Sequence, residues 1–173
     1  MRILATLGNV LLTAAAAVGL AGALVWGATT AGWIQPLVVV SGSMEPEIAT
    51  GDLLVATRTP VDDLEVGDVA TLRSAVTENL VTHRVTEVVV SGDSAEIRMR
   101  GDANPAEDGE TYRAEHAVWE PAVRVPGGGF VVETVTRPTV AVPLLIALAA
   151  LVGFTLVPTP APQPTDEEEA PTT

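Results

Sequence analysis

The stretch Val-Val-Val-Ser-Gly-Ser-Met-Glu-Pro, at positions 38–46, marks the point where an apolar chain becomes a polar one. Residues 3–44 contain no Asp, Glu, Lys or Arg, whereas residues 45–137 contain 18 acidic residues and 8 arginines. A β-branched run followed by two serines, a glycine and a proline predicts a strand that ends in a tight turn. Such a turn can present one hydroxyl group outward, which makes Ser43 a candidate nucleophile.

Uncharged apolar segments flank the polar region on both sides. Residues 3–25 and residues 138–157 are each long enough to cross a bilayer, which requires about 20 apolar residues. We predict a transmembrane anchor over residues 1–33 and a second transmembrane helix over residues 138–157. A cleaved signal peptide is the alternative interpretation of the first segment. Arg2 favours a cytoplasmic amino terminus, so the polar region is predicted on the extracytoplasmic side of the cell membrane.

The region between these segments, residues 36–136, has the pattern of a small β domain. Short apolar runs alternate with turns that contain glycine, and a loop is predicted over residues 101–110. No helix is predicted in this region. The expected fold is mainly β, a small domain of antiparallel strands with N-terminal and C-terminal transmembrane helices. The acidic, Pro- and Thr-rich residues 158–173 predict a disordered tail. Strands are predicted at residues 37–40, 52–57, 68–73, 79–90, 95–100, 117–125 and 130–136.

Composition restricts the chemistry that the chain can perform. The net charge is −13, and phosphate binding needs a basic surface, so a nucleic-acid partner is not expected. The chain has no cysteine, which excludes disulfides and thiolate metal sites. Its two histidines are far apart in sequence, so we predict neither a metal nor another cofactor. All nine basic residues are arginine, which means that no lysine can act as a catalytic base.

Histidine is therefore the remaining base that could activate Ser43. A serine hydroxyl is a weak nucleophile until a base takes its proton, and histidine suits neutral pH. Strand alternation places His83 on the apolar face, whereas His116 lies among charged residues and is predicted at the surface. Asp102 and Asp108, in the loop 101–110, could each orient the imidazole. Taken singly, these residues also fit a turn serine, a core histidine and turn aspartates.

Taken together and in this order, the motifs resemble signal peptidase I. They are similar to the form found in the endoplasmic reticulum, archaea and some bacteria, in which histidine replaces the general-base lysine. The resemblance covers residues 36–132 and implies a membrane-bound serine endopeptidase that removes signal peptides from pre-proteins. The segments that carry the resemblance are Ser41–Pro46, Gly51-Asp52, Gly67-Asp68, Thr82–Val85 and Gly101–Asn104.

The resemblance also implies a role for each candidate residue. Ser43 corresponds to the nucleophile and His83 to the general base. Of the two aspartates, we predict that Asp108 orients His83 and that Asp102 supports the loop, and the reverse assignment remains open. The resemblance further assigns Ser41 to the oxyanion site.

The partners that the resemblance implies are signal-peptide-bearing pre-proteins, the lipid bilayer and the secretion machinery. We assign Met44 to the substrate site, and the cleavage segment would add as a strand beside residues 37–40. Two alternatives remain open at this point. One is a peptidase dedicated to one or a few partner proteins, and the other is a non-enzymatic, membrane-anchored β domain that binds or scaffolds.

Overall fold

A computed structural model of the protein describes residues 2–155. The predicted tail, residues 158–173, lies outside the described residues. A short 3-10 helix, Val61–Asp63, follows the second strand. The helices and strands are, in chain order, α1 Arg2–Thr30, β1 Ile34–Val38, β2 Leu53–Pro60, β3 Val69–Arg73, β4 Leu80–Ser91, β5 Ser94–Arg100, β6 Tyr112–Glu115, β7 Ala117–Val125, α2 Gly128–Thr136 and α3 Pro138–Thr155.

Seven strands form one antiparallel sheet in the order β1-β2-β7-β3-β4-β5-β6. This arrangement confirms the predicted fold class, a mainly β domain of antiparallel strands that follows an N-terminal apolar helix. Strand β4 links the two halves of the sheet, because its first half pairs with β3 and its second half with β5. His83 lies in the first half, opposite Ala70 of β3.

Most of the predicted strands are present, with small shifts at their ends. The first begins earlier than predicted, at Ile34, and ends at Val38, so that residues 39 and 40 lie beyond it. The predicted strands at 52–57, 68–73, 79–90, 95–100 and 117–125 correspond to β2, β3, β4, β5 and β7. Strand β6 was not predicted, because only four residues carry its alternation of buried and exposed side chains.

Two groups of buried apolar side chains hold the sheet together. The larger group lies on the buried face of β3 to β7 and includes Val85, Ile97 and Tyr112. The smaller group consists of Met44, Ile48 and Leu54, with Leu37, Val39 and Val69 packed against it. The smaller group therefore fastens the turn after β1 to the start of β2.

Asp52 connects this turn to the end of β7. Its carboxylate accepts hydrogen bonds from the backbone N–H groups of Gly127 and Ala49, both at 2.9 Å, and from Arg124 Nε at 2.6 Å. The side chain is buried, with 3% of the residue exposed. The two backbone hydrogen bonds, followed by Arg124, hold the pKa of Asp52 below its ordinary value of 3.8.

The strand predicted at residues 130–136 is wrong, because these residues belong to helix α2. A short apolar run does not by itself distinguish a strand from a helix. Tertiary contacts favour the helix over the strand here, because the start of α2 packs closely against β1 and the turn before β2. A Cβ atom on Gly129 would lie 2.7 Å from Val38 Cγ1 and 2.8 Å from the Gly51 carbonyl oxygen. Only glycine fits this position without a shift of the neighbouring chain.

The apolar helices lie at the two ends of the described chain. Residues 6–30 of α1 are long and apolar enough to cross a membrane. Helix α3 contacts α1, and residues 128–136 and 138–150 meet the same criterion only as a pair bent by 71°. The transmembrane nature of the second segment, residues 138–157, therefore stays a prediction.

Candidate active site

Ser43 lies in the tight turn that follows β1. The turn is closed by hydrogen bonds from Glu45 N to the Gly42 carbonyl (3.1 Å) and from Ile48 N to the Met44 carbonyl (3.0 Å). The side chain of Met44 is only 2% exposed and packs in the smaller apolar group. Burial of Met44 thus fixes the turn, while the partly exposed Ser43 keeps its hydroxyl at the surface of the sheet.

His83 lies in the middle of a hydrogen-bonded series, and each of its ring nitrogens contacts one neighbour. Its Nε2 atom lies 3.0 Å from Ser43 Oγ, and its Nδ1 atom lies 2.7 Å from Asp108 Oδ2. An ionised carboxylate can only accept, so the short contact to Asp108 requires the proton to be on Nδ1. Nε2 then carries a free lone pair and can take the proton of Ser43. His83 is 8% exposed, as the predicted inward face of β4 requires.

Asp108 reaches His83 from the loop between β5 and β6. Its backbone N–H donates to the Met99 carbonyl oxygen at 2.9 Å, which anchors the loop to the end of β5. Its Oδ2 atom also accepts a hydrogen bond from the Tyr112 hydroxyl at 2.9 Å. The side chains of His83 and Asp108 are only 11% and 10% exposed, so little water competes for their hydrogen bond.

Asp102 lies in the same loop but binds a different residue. Arg84 donates from Nε to Asp102 Oδ1 at 2.9 Å and from Nη2 to Oδ2 at 2.7 Å, a bidentate pair. These hydrogen bonds hold the pKa of Asp102 below its ordinary value. Arg84 also donates to Glu47 Oε2 at 2.6 Å and to the Gly67 carbonyl at 2.8 Å. Arg84 therefore ties the loop of Asp102 to the turn that contains Ser43.

The loop of Asp102 also holds the backbone of Ser43 directly. The N–H of Ala103 donates to the Ser43 carbonyl oxygen at 2.8 Å. Gly101 lies so close that a Cβ atom there would be 2.6 Å from the same oxygen. The structure thus places Asp108 beside His83 and Asp102 beside Arg84, while the functions of the two aspartates stay predictions.

Ser41 lies beside the candidate nucleophile on its solvent side. Its Oγ atom is 3.3 Å from Ser43 Oγ, within hydrogen-bond distance. The backbone N–H of Ser43 has no acceptor among residues 2–155. Both groups can therefore donate to an oxygen atom bound next to Ser43 Oγ.

An apolar cleft of about 320 Å³ opens beside these residues. One wall is the end of β1 with the segment that follows it, and the other is the first part of β4. Within the described chain, β5 pairs with β4 only from Arg84 onward, so residues 80–83 have β3 as their strand partner on one side. The lining residues are Leu37, Val38, Val39, Val40, Ser41, Ser43, Met44, Ile48, Leu54, Leu80, Val81, Thr82 and His83.

The second histidine does not contribute to this site. His116 is exposed in the turn between β6 and β7, and its backbone N–H donates to the Asp93 carbonyl oxygen at 2.6 Å. Asp93 belongs to the β4–β5 turn, at the end of β4 opposite to His83. Across residues 2–155, no group of three His, Cys, Asp or Glu side chains is placed to hold a metal ion.

Tyr112 is the site residue that the sequence analysis missed. It is the first residue of β6 and is 4% exposed, and its hydroxyl donates to the carboxylate that contacts His83. Burial and the nearby Asp108 carboxylate raise the pKa of Tyr112, so the hydroxyl stays protonated at neutral pH. A signal was present, since Tyr112 is the one tyrosine in the sequence and follows Asp108 by four positions.

Known proteins share similarity with part of this chain. Signal peptidase I W of Bacillus subtilis (strain 168) is 40% identical over 84 residues, which is 45% of this chain and 44% of the relative. The signal peptidase complex catalytic subunit SEC11 of Fusarium vanettenii is 40% identical over 80 residues, 45% of this chain and 46% of the relative. The SEC11 subunit of Pyricularia oryzae is 36% identical over the same length.

The matched segment is less than half the length of these relatives. No protein-family model matches the chain. Because the relatives include a bacterial signal peptidase I and fungal SEC11 subunits, the similarity supports the signal peptidase I family and does not distinguish a subtype.

Proposed function

We propose that this protein is a membrane-bound serine endopeptidase that removes signal peptides from secreted pre-proteins. The observation that carries the proposal is the hydrogen-bonded series from Ser43 Oγ through His83 to Asp108 Oδ2, with distances of 3.0 and 2.7 Å. This arrangement contains a nucleophile, a base and a residue that orients the base, which is the set that acyl transfer by serine requires. The similarity to signal peptidases supports signal-peptide-bearing pre-proteins as the substrate class.

In the first step, Ser43 Oγ attacks the carbonyl carbon of the scissile peptide bond as His83 Nε2 takes its proton. The imidazolium that forms lies against the Asp108 carboxylate, which stabilises the positive charge. His83 then returns the proton to the leaving amine, and the mature protein departs with a new amino terminus. The signal peptide stays bound to Ser43 as an ester, and water activated by His83 hydrolyses it.

The negative charge that develops on the carbonyl oxygen needs hydrogen-bond donors. Two donors lie beside Ser43 Oγ: the Ser43 N–H, which has no acceptor among residues 2–155, and the hydroxyl of Ser41, whose Oγ atom is 3.3 Å from Ser43 Oγ. Loss of one donor to an oxyanion lowers the rate by about 10²- to 10³-fold in comparable enzymes. We assign this function to the two groups together.

The substrate would lie in the apolar cleft as an extended chain. Residues 38–41 form one wall and residues 80–83 the other, and the β4 wall has its strand partner on the far side. An extended peptide can therefore pair its backbone with these walls, a common mode of peptide binding. Met44, Ile48 and Leu54 lie at the cleft and would give the side chains next to the scissile bond an apolar surface to contact.

The position of the site fits a substrate that emerges from a membrane. Only residues 31–33 separate α1, which is apolar enough to cross a bilayer, from β1, and the turn of Ser43 follows β1 directly. Ser43 would therefore lie near the bilayer surface, where a signal peptide ends. On this proposal the β domain faces the extracytoplasmic side, and α1 and α3 both cross the membrane.

Cleavage of a signal-peptide-bearing reporter by membranes that contain the protein tests the proposal. We expect wild-type membranes to release the mature reporter and membranes with Ser43→Ala to release none. Ser94→Ala is the matched control, because Ser94 is the first residue of β5, at the end of the β4–β5 hairpin far from His83, and its hydroxyl donates to the Ser91 carbonyl. Equal release of the mature reporter by wild-type and Ser43→Ala membranes would refute the enzymatic function and favour a binding domain. A panel of reporters separates a general peptidase from one dedicated to few partners.

A further inference from the structure

A buried tyrosine, Tyr112, hydrogen-bonds to the candidate site residue Asp108 and is not among the residues that line the cleft. The Tyr112 hydroxyl donates to Asp108 Oδ2 at 2.9 Å, and the same oxygen accepts from His83 Nδ1 at 2.7 Å. The two donors therefore converge on one carboxylate oxygen. Their directions fix the rotation of the carboxylate plane, which a single hydrogen bond would leave free.

Asp108 needs such a constraint because it lies in a loop. Between Arg100, the last residue of β5, and Tyr112, the first of β6, the chain belongs to no strand or helix. The backbone of Asp108 is held by one hydrogen bond to the Met99 carbonyl. That bond positions Cα but leaves rotation about the side-chain bonds unconstrained.

Tyr112, in contrast, is held rigidly by the sheet. It pairs with Ile97 of β5, and its ring packs in the larger apolar group, where Ile97 and Val85 are almost completely buried. Its hydroxyl is therefore placed by the core of the domain. The apolar core therefore constrains His83 indirectly: it holds Tyr112, Tyr112 binds Asp108, and Asp108 binds His83.

We propose that Tyr112 is a positioning residue, which holds Asp108 Oδ2 at His83 Nδ1 and so keeps the imidazole in the tautomer that can accept the proton of Ser43. The proposal rests on the proposed peptidase function. Tyr112 is not among the residues that line the cleft, and its hydroxyl reaches the site through its hydrogen bond to Asp108.

Tyr112→Phe is the informative variant, because it retains the buried ring and removes only the hydroxyl. We expect kcat to fall by about 10- to 100-fold, the effect of losing one hydrogen bond to a charged group, with KM changed by less than about twofold. Thr59→Val is the matched control, since it removes a hydroxyl that donates to Glu120 Oε2 at 2.8 Å in the distant β2–β7 pair. The control should leave kcat unchanged.

A double-mutant cycle with Asp108 separates positioning from a general structural effect. If Tyr112 acts through Asp108, adding Tyr112→Phe to Asp108→Ala should change kcat by less than about twofold. A structural effect alone would instead lower kcat by the same factor in both backgrounds. Rates are expressed per folded protein, from active-site titration or, where Asp108 is absent, from the folded fraction.

Two results would overturn the inference. One is a kcat for Tyr112→Phe within twofold of wild type, and the other is an equal loss in the Asp108→Ala background. Failure of the proposed function would look different, because wild type would then cleave the reporter no faster than Ser43→Ala.

Discussion

Adding one methyl group at Gly101 should displace Ser43, the proposed nucleophile, without altering any side chain of the candidate site. In Gly101→Ala, the new Cβ would lie 2.6 Å from the Ser43 carbonyl oxygen, a backbone atom, and 2.8 Å from Asn104 Nδ2. Contacts of Cβ atoms essentially never fall below 3.0 Å, and ordinary contacts begin at 3.4 Å. The backbone of Ser43 and the loop must therefore separate by 0.4 to 0.8 Å to accommodate the methyl group.

This separation acts on the distance between Ser43 and His83. The Ser43 carbonyl also accepts the 2.8 Å hydrogen bond from Ala103 N–H, so the loop cannot move away without stretching it. Misplacement of reacting groups by about 1 Å lowers rates by about 10²-fold, and about half that movement should lower kcat by about 10-fold. Overpacking of this kind should also destabilise the fold by about 1–3 kcal/mol.

The assay is single-turnover cleavage of a signal-peptide reporter by purified enzyme in detergent, together with thermal unfolding. Gly109→Ala is the matched control, because it changes the same loop at a position where a Cβ atom meets nothing within 4 Å. We expect the control to retain wild-type kcat. Wild-type kcat in Gly101→Ala would show that the contact between the loop and Ser43 does not position the nucleophile.

Three further predictions concern the charged and titratable residues. His83→Ala should lower the rate of reporter cleavage by about 10⁴-fold or more, whereas His116→Ala should keep the wild-type rate. The opposite pattern would make His116 the base. Asp108→Asn should lower kcat by about 10⁴-fold, because an amide can stabilise the wrong tautomer of His83. Asp102→Asn still faces Arg84 and should lower kcat by only about 10-fold. A larger loss at Asp102 than at Asp108 would exchange the functions of the two residues. Because the folded-state pKa of Asp52 lies below the unfolded value of 3.8, its stabilising effect is complete above that pH and is lost as the pH falls through the folded-state pKa. Melting temperatures measured from pH 6 downward should therefore fall less steeply for Asp52→Asn than for wild type, and parallel curves would contradict this.

The part of the fold that could be predicted is the part encoded by local patterns. Strand β4 alternates over a long run and ends in a Ser-Gly-Asp-Ser turn, so its bounds and the inward side of His83 were both predictable. Helix α2 was not predictable, because its apolar residues suit a strand equally well. Its helical form depends on close packing of Gly129 against Val38 and on the bond from Gly127 to Asp52.

The site shows the same division between local and tertiary information. Asp102 and Asp108 lie in one loop, and nothing in their spacing shows which of them meets His83. The alternation of β4 resolves the ambiguity in the structure, because His83 and Arg84 are neighbours whose side chains leave opposite faces of the strand. On one face His83 binds Asp108, and on the other face Arg84 binds Asp102. The contribution of Tyr112 depends on β6, which is too short to be recognised from its pattern.

The open stretch of β4 at residues 80–83 has a consequence for the timing of cleavage. A sheet edge with free backbone N–H and C=O groups can pair with another extended chain, and most β proteins protect such edges. On the proposed function, the substrate supplies the missing strand beside residues 80–83. Its backbone groups must therefore be free to pair. A segment that has already folded into a helix or a sheet has those groups occupied and cannot enter. Processing would therefore compete with folding of the exported protein, and only a chain that reaches Ser43 still unfolded would be released from its membrane tether.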